Sequence, residues 1–165
     1  MAAPPTIFLP DPEATTRFGA ALAPHLCPGD TVLLEGALGA GKTALARAVI
    51  QARLRRVDAV EDVPSPSFTL VQTYWADIEI WHCDLYRLTS ADALEELGLD
   101  EAFDTALVLI EWPRRLGGLL PRRYLQICLT EEPVAELGRA ARLDPVGGGW
   151  EAALDALAGW VGRRG

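Results

Sequence analysis

The segment GALGAGKT, Gly36 to Thr43, joins two well-patterned elements, and that junction limits what the chain can fold into. TVLLE, Thr31 to Glu35, precedes it and is an apolar run of strand length. Lys42 to about Leu54 follows, with Leu45, Val49 and Ile50 recurring on one helical face. Strand, glycine loop and helix in that order fit G-x-x-x-x-G-K-[ST], the P-loop pattern. Glycines let the loop close tightly, so that backbone N–H groups point inward at a phosphate, and the helix N-terminus adds the positive end of its dipole. Gly36, Gly39, Ala40, Gly41 and Ala44 are thus expected around a phosphate of a nucleoside triphosphate. Lys42, read as an exposed loop lysine, would reach the β- and γ-phosphates, and the Thr43 hydroxyl would ligate Mg²⁺. The competing reading, a flexible turn with a surface lysine, does not account for the patterned elements on both sides.

The rest of the chain reads as an α/β domain around this unit. Thr6 to Leu9 is a short strand, and Asp11 N-caps a helix with Pro12 at its first position and Phe18, Ala21 and Leu22 on one face. That helix fades before Pro24. FTLVQTYW and IEIWHCDLY are two strands joined by a tight turn at Ala76 and Asp77. So short a link cannot hold a crossover helix, so the pair is antiparallel. Thr89 to Asp92 has capping-box spacing and opens a short helix that stops near Gly98. ALVLIEW and RYLQICLTE are strands, with RAARLD as a final one. DPVGGGW is a loop before an amphipathic C-terminal helix with Trp150, Leu154, Leu157 and Val161 on its apolar face. The expected fold is a single P-loop NTPase-like domain over residues 1–165, with a mixed parallel and antiparallel sheet flanked by helices.

Composition narrows the setting. A chain of 165 residues, half of them apolar, suits one packed domain. Its apolar runs are too short to span a membrane, and the N-terminus lacks the basic and apolar regions of a signal peptide. Cys27, Cys83 and Cys128 are widely spaced without metal-ligand spacing, as expected for reduced thiols in the cytoplasm. The formal charge of −8 disfavours independent binding to nucleic acid and suits docking onto a basic protein.

A P-loop needs a carboxylate for the metal and a group to orient the attacking atom. Glu111 ends the apolar run ALVLI and Asp84 follows IEIWHC, so both are placed at strand ends, where phosphates bind in such folds. Either could instead be a polar strand terminus at the surface. His82 on its strand reads as a structural histidine rather than a base. Trp75 and Trp81 read as packing or partner contacts, and the arginine pairs at 114–115, 122–123 and 163–164 as solvated.

GALGAGKT, PSPSFTLV, HCDLYRL and IEWP, in this order and spacing, resemble the TsaE (YjeE) family, small bacterial ATPases needed to make N6-threonylcarbamoyladenosine (t⁶A) on tRNA. The resemblance extends from LPDPEAT to GRAARL. It implies that Lys42 and Thr43 hold phosphate and Mg²⁺, that Glu111 helps hold the metal, and that Asp84, with His82, Tyr86 and Arg87, serves hydrolysis. Ser65, Pro66 and Ser67 would form a switch-like loop, Ser67 replacing the usual threonine, and Trp112 would matter for activity. Ala37 stands where relatives often carry Asp. Asp11, Thr15 and Arg139 fall where relatives approach the nucleotide. The implied cofactors are ATP and Mg²⁺. The implied partners are the TsaD and TsaB proteins, with tRNA reached only through that complex. A small-molecule P-loop kinase and a non-hydrolysing ATP-dependent binding module are the alternatives. The kinase would need an arginine-rich lid and an acceptor pocket, for which a chain running from the P-loop helix straight into a hairpin leaves little room.

Overall fold

A computed structural model describes residues 4–90, 92–133 and 136–160. At its centre is strand β2 (Thr31–Gly36), apolar on both faces because both are covered. Val32 and Leu34 pack on one side, and Leu33 packs on the other with Val108 and Ile110. The remaining strands are β1 (Thr6–Leu9), β3 (Val71–Trp75), β4 (Glu79–Asp84), β5 (Leu107–Glu111), β6 (Tyr124–Glu131) and β7 (Arg139–Val146). They form one sheet in the order β1-β7-β6-β2-β5-β4-β3. The middle strands β6, β2, β5 and β4 run parallel, whereas β3 pairs antiparallel with β4, and β7 with both β6 and β1. The mixed sheet expected from the sequence is therefore the one observed. The chain leaves β2 for β3 and β4, returns to lay β5 beside β2, then crosses to its other side with β6. Strand order thus reverses at β2, and sheets of this type open a ligand crevice at the carboxyl ends of the strands at such a point.

Helices α1 (Pro12–Leu22), α2 (Lys42–Arg55) and α5 (Glu151–Ala158) cover one face. Helices α3 (Asp92–Glu96) and α4 (Leu99–Thr105), with a 3₁₀ segment at Pro113–Leu119, cover the other over β4 and β5. Helices α1 and α2 meet at Gly19, where an added Cβ would lie 2.6 Å from the Ala48 Cβ. Gly19→Ala should therefore destabilise the fold. Overpacking costs about 1–3 kcal/mol, and the gain in helix propensity of about 1 kcal/mol only partly offsets it. A denaturation midpoint equal to or above that of the native protein would contradict this packing.

Several elements differ from their sequence patterns. The segment before β5 holds a second helix, α4, which begins at Gly98 (φ 82) where only an end had been expected. The α3 start is served by Ser90, whose hydroxyl accepts the Asp92 N–H at 3.3 Å. The hairpin link is three residues, because Trp75 pairs with Glu79 and leaves Ala76, Asp77 and Ile78 in the turn. Strand β3 starts at Val71, after a turn in which Leu70 adopts φ 66. Strand β7 runs on through Pro145 to Val146, taking up part of the expected DPVGGGW loop. Arg123 is not solvated: it pairs with Asp30 and lies 4.1 Å from the centre of the Trp150 ring. Val161 and the arginines at 163–164 lie outside the described residues. Trp150 and Leu157 are buried as expected on the α5 side. The three cysteines are free, and burial pushes the Cys83 thiol up to about 12. No helix among the described residues is long and apolar enough to cross a membrane.

Candidate nucleotide-binding site

The glycine loop leaves β2 at its carboxyl end, between β5 and β6. Gly39 (φ 80) and Gly41 (φ 106) are in the left-handed region that side chains resist, and a Cβ at Gly39 would face open space. Gly41 is the N-cap of α2, with no side-chain cap and no acidic residue in the first helical turn. The first N–H groups of a helix of 14 residues, and the positive end of its dipole, are thus left to an outside anion.

Lys42 is not an exposed loop residue; it is 5% exposed. Its Nζ donates to the carbonyls of Gly36 (2.6 Å) and Ala37 (2.8 Å), which leaves the third ammonium proton without an acceptor among the described residues. The same Nζ stands 4.0 Å from the centre of the Trp112 ring. Burial pulls the Lys42 pKa down, while Glu111, Asp84 and Glu35 push it up. Trp112 has φ 59 and ψ 54, a costly conformation for an aromatic residue, and its ring centre is 5.0 Å from that of Tyr86. That turn brings the indole directly after Glu111 back over the lysine.

The two acids are buried, Glu111 at 2% and Asp84 at 5% exposure, so neither is a surface strand terminus. They are register partners at the ends of neighbouring parallel strands β5 and β4. Thr43 Oγ1 donates to Glu111 Oε1 at 2.7 Å, and His82 Nε2 is 2.7 Å from Glu111 Oε2. Asp84 Oδ1 accepts the Tyr86 N–H at 3.1 Å, while Oδ2 accepts the hydroxyls of Ser65 (3.1 Å) and Ser67 (3.3 Å). A cleft of about 360 Å³ gathers Gly39, Gly41 to Ala44, the two serines, both acids and Trp112. Gly36 and Ala40 do not line it: Ala40 is buried, and Gly36 serves Lys42 through its carbonyl. A Thr hydroxyl beside a carboxylate is an oxygen-donor pair that suits Mg²⁺, which binds through one or two carboxylates plus substrate phosphates. Among the described residues no group of three or more His, Cys, Asp and Glu side chains forms an all-protein metal cage, and Mg²⁺ does not require one.

Three further residues expected near the nucleotide, Asp11, Thr15 and Arg139, also stand outside that cleft. Asp11 Oδ1 caps α1 through the Ala14 N–H at 2.8 Å, and Thr15 is buried in the same helix. Arg139 sends Nη2 to the Gly39 carbonyl at 3.4 Å and pairs in register with Leu9, so the end of β1 reaches the outer side of the glycine loop. Neither the serine contacts to Asp84 nor the lysine contact to Trp112 was foreseen from the sequence. The two-residue spacing of His82 and Asp84 was the signal that both lie on one face of their strand.

The sequence profile described as threonylcarbamoyl adenosine biosynthesis protein TsaE matches residues 9–140. The chain belongs to the TsaE family. It is 42% identical over 118 residues to the tRNA threonylcarbamoyladenosine biosynthesis protein TsaE of Rickettsia bellii, covering 71% of this chain and 80% of that one. It is 37% identical over 134 residues to the protein of the same name from Mycobacterium tuberculosis, covering 75% and 77%. The crystal structure of Bacillus subtilis YdiB superposes with a TM-score of 0.78 at 27% identity, over 97% of each chain. Family membership assigns this TsaE-family chain to t⁶A biosynthesis on tRNA, with a P-loop fold suited to binding a nucleotide.

Proposed function

We propose that this single-domain protein binds Mg²⁺ and ATP in the cleft below the glycine loop and hydrolyses ATP slowly in the cytoplasm, supporting turnover of a TsaD–TsaB complex that carries the tRNA. The observation that carries this reading is the meeting of Lys42, the Thr43–Glu111 pair and Asp84 in one cleft at the reversal point of the sheet. The α2 N–H groups and the free Lys42 proton bind the β- and γ-phosphates. Thr43 and Glu111 hold Mg²⁺, which when bound supplies charge neutralisation on the phosphate oxygens. Asp84, whose Oδ1 accepts only the Tyr86 N–H and keeps a second lone pair, takes a hydrogen bond from the attacking water and orients it. The serines tie the Ser65–Ser67 loop to that carboxylate, so loop position and water position are coupled. Trp112 keeps bulk water from the lysine. Asp11, Thr15 and Arg139 are assigned to the flank of the glycine loop, on the support of the Arg139 contact to Gly39.

A phosphate-release assay tests the reading. The isolated protein should turn over far below a typical enzyme rate of roughly 10 per second. TsaD and TsaB should raise that rate, because a catalytic arrangement that includes a mobile loop is populated only part of the time. The stimulation should weaken with salt, since a chain of net charge −8 favours a basic face on its partner. Full turnover by the isolated protein, or recovery of tRNA without either partner, would contradict it. Transfer of phosphate to an added acceptor would identify a kinase. Partner-dependent binding without phosphate release would identify a binding module.

A further inference from the structure

We propose that His82 is a positioning residue for the metal side of the site: it acts through Glu111 and touches neither nucleotide nor metal. The inference rests on the ATP–Mg²⁺ reading of the cleft. His82 is fully buried on β4, and its register partner on β5 is Leu109. In a strand, side chains alternate, so His82 shares a face with Asp84, and the parallel register puts Leu109 and Glu111 on that same face. It is the face covered by α2, which carries Thr43. His82 therefore lies one step deeper than the two acids, beneath the cleft, and it is absent from the cleft lining.

Its hydrogen bonds define its role. Nε2 is 2.7 Å from Glu111 Oε2, and Nδ1 has no partner among the described residues. An ionised carboxylate only accepts, so Nε2 carries the proton. The other oxygen of Glu111 accepts the Thr43 hydroxyl. Both carboxylate oxygens are thus held, one from beneath by His82 and one from α2 by Thr43. This fixes the rotation of the carboxyl plane. Because the Thr43 proton is directed at Oε1, the lone pairs of Thr43 Oγ1 face the cleft, where a cation can use them. Groups that orient ligands from behind in this way commonly change metal affinity by 10–100-fold when removed.

Two amide substitutions separate this role from simple core packing. His82→Gln places an amide nitrogen near the position of Nε2, whereas His82→Asn places one near Nδ1, out of reach of Glu111. Both replace the ring with a polar amide, and circular dichroism checks that each folds. The readout is ADP affinity by calorimetry, with Mg²⁺ and with EDTA. The native protein should bind ADP more tightly with Mg²⁺. His82→Asn should reduce that Mg²⁺-dependent gain about 10–100-fold, with EDTA affinity unchanged. His82→Gln should stay within about threefold of native, a shift of less than 1 kcal/mol. Equal behaviour of the two amides, or equal losses with Mg²⁺ and with EDTA, would overturn the assignment. Failure of the native protein to bind ADP would instead overturn the nucleotide reading on which it rests.

Discussion

Lys42→Ala should fold and yet bind ATP about 100-fold more weakly, a loss of roughly 3 kcal/mol, because a charge-assisted contact to the β- and γ-phosphates disappears. The native lysine has a place held for it. Two of its protons are fixed by the Gly36 and Ala37 carbonyls and its Nζ stands against the face of the Trp112 ring, so little ordering remains to be done when phosphate arrives. The same contacts mean that the substitution is not silent for the fold. It leaves two loop carbonyls without a donor and removes a cation whose charge interacts with Glu111 and Asp84. A stability loss of about 1–3 kcal/mol should accompany the loss of binding. Lys42→Met keeps most of the apolar stem at this buried position, so it should recover part of the stability and none of the affinity. Calorimetry showing native ATP affinity in either variant would refute the assignment of the phosphate site.

The strand–glycine loop–helix unit was legible because its signal is local: a strand, glycines and a helix that follow one another in the chain. The positions of Asp84 and Glu111 were legible too, since each closes an apolar run and strand ends converge in a parallel sheet. What the sequence hid depends on contacts between distant segments. Lys42 looks like a surface residue until Trp112, 70 positions later, turns back over it in a left-handed conformation. His82 looks like core until the β4–β5 register sets it beneath Glu111. Arg123 belongs to an arginine pair that reads as solvated, and only the closeness of β6 to Asp30 and Trp150 gives it partners. Helix α4 escaped for a different reason. It has 7 residues, and Gly98, which reads as a stop, serves as its N-cap. Leu99 and Ala102, three apart and both buried, with acids in the first turn, were the available sign.

Asp84→Asn should lower hydrolysis by about 10²-fold or more, the usual scale for losing a positioned proton acceptor, while Mg²⁺–ATP affinity stays within about threefold, less than 1 kcal/mol. Glu111→Ala should do the reverse and weaken Mg²⁺-dependent binding first, because the Thr43 hydroxyl loses the acceptor that directs it. The contrast follows from the hydrogen bonds: Glu111 is tied to Thr43 in the P-loop helix, whereas Asp84 is tied to Ser65 and Ser67 in the switch-like loop. One ambiguity follows from the same bonds. Any change at Asp84 also alters the anchor of that loop, so a fall in rate could come from the lost acceptor or from a displaced loop. The double variant Ser65→Ala with Ser67→Ala resolves it, since it frees the loop and leaves the carboxylate in place. If Asp84 acts on water, the double variant should retain most of the native rate when TsaD and TsaB are present, because a partner that binds the closed form can supply the missing order. A double variant as inactive as Asp84→Asn under those conditions would make Asp84 an anchor for the loop. If titrations instead showed that Asp84→Asn and Glu111→Ala both lose only metal affinity, Asp84 would be a second metal-holding carboxylate, and the group that orients the water would have to lie elsewhere in the cleft or on the partner.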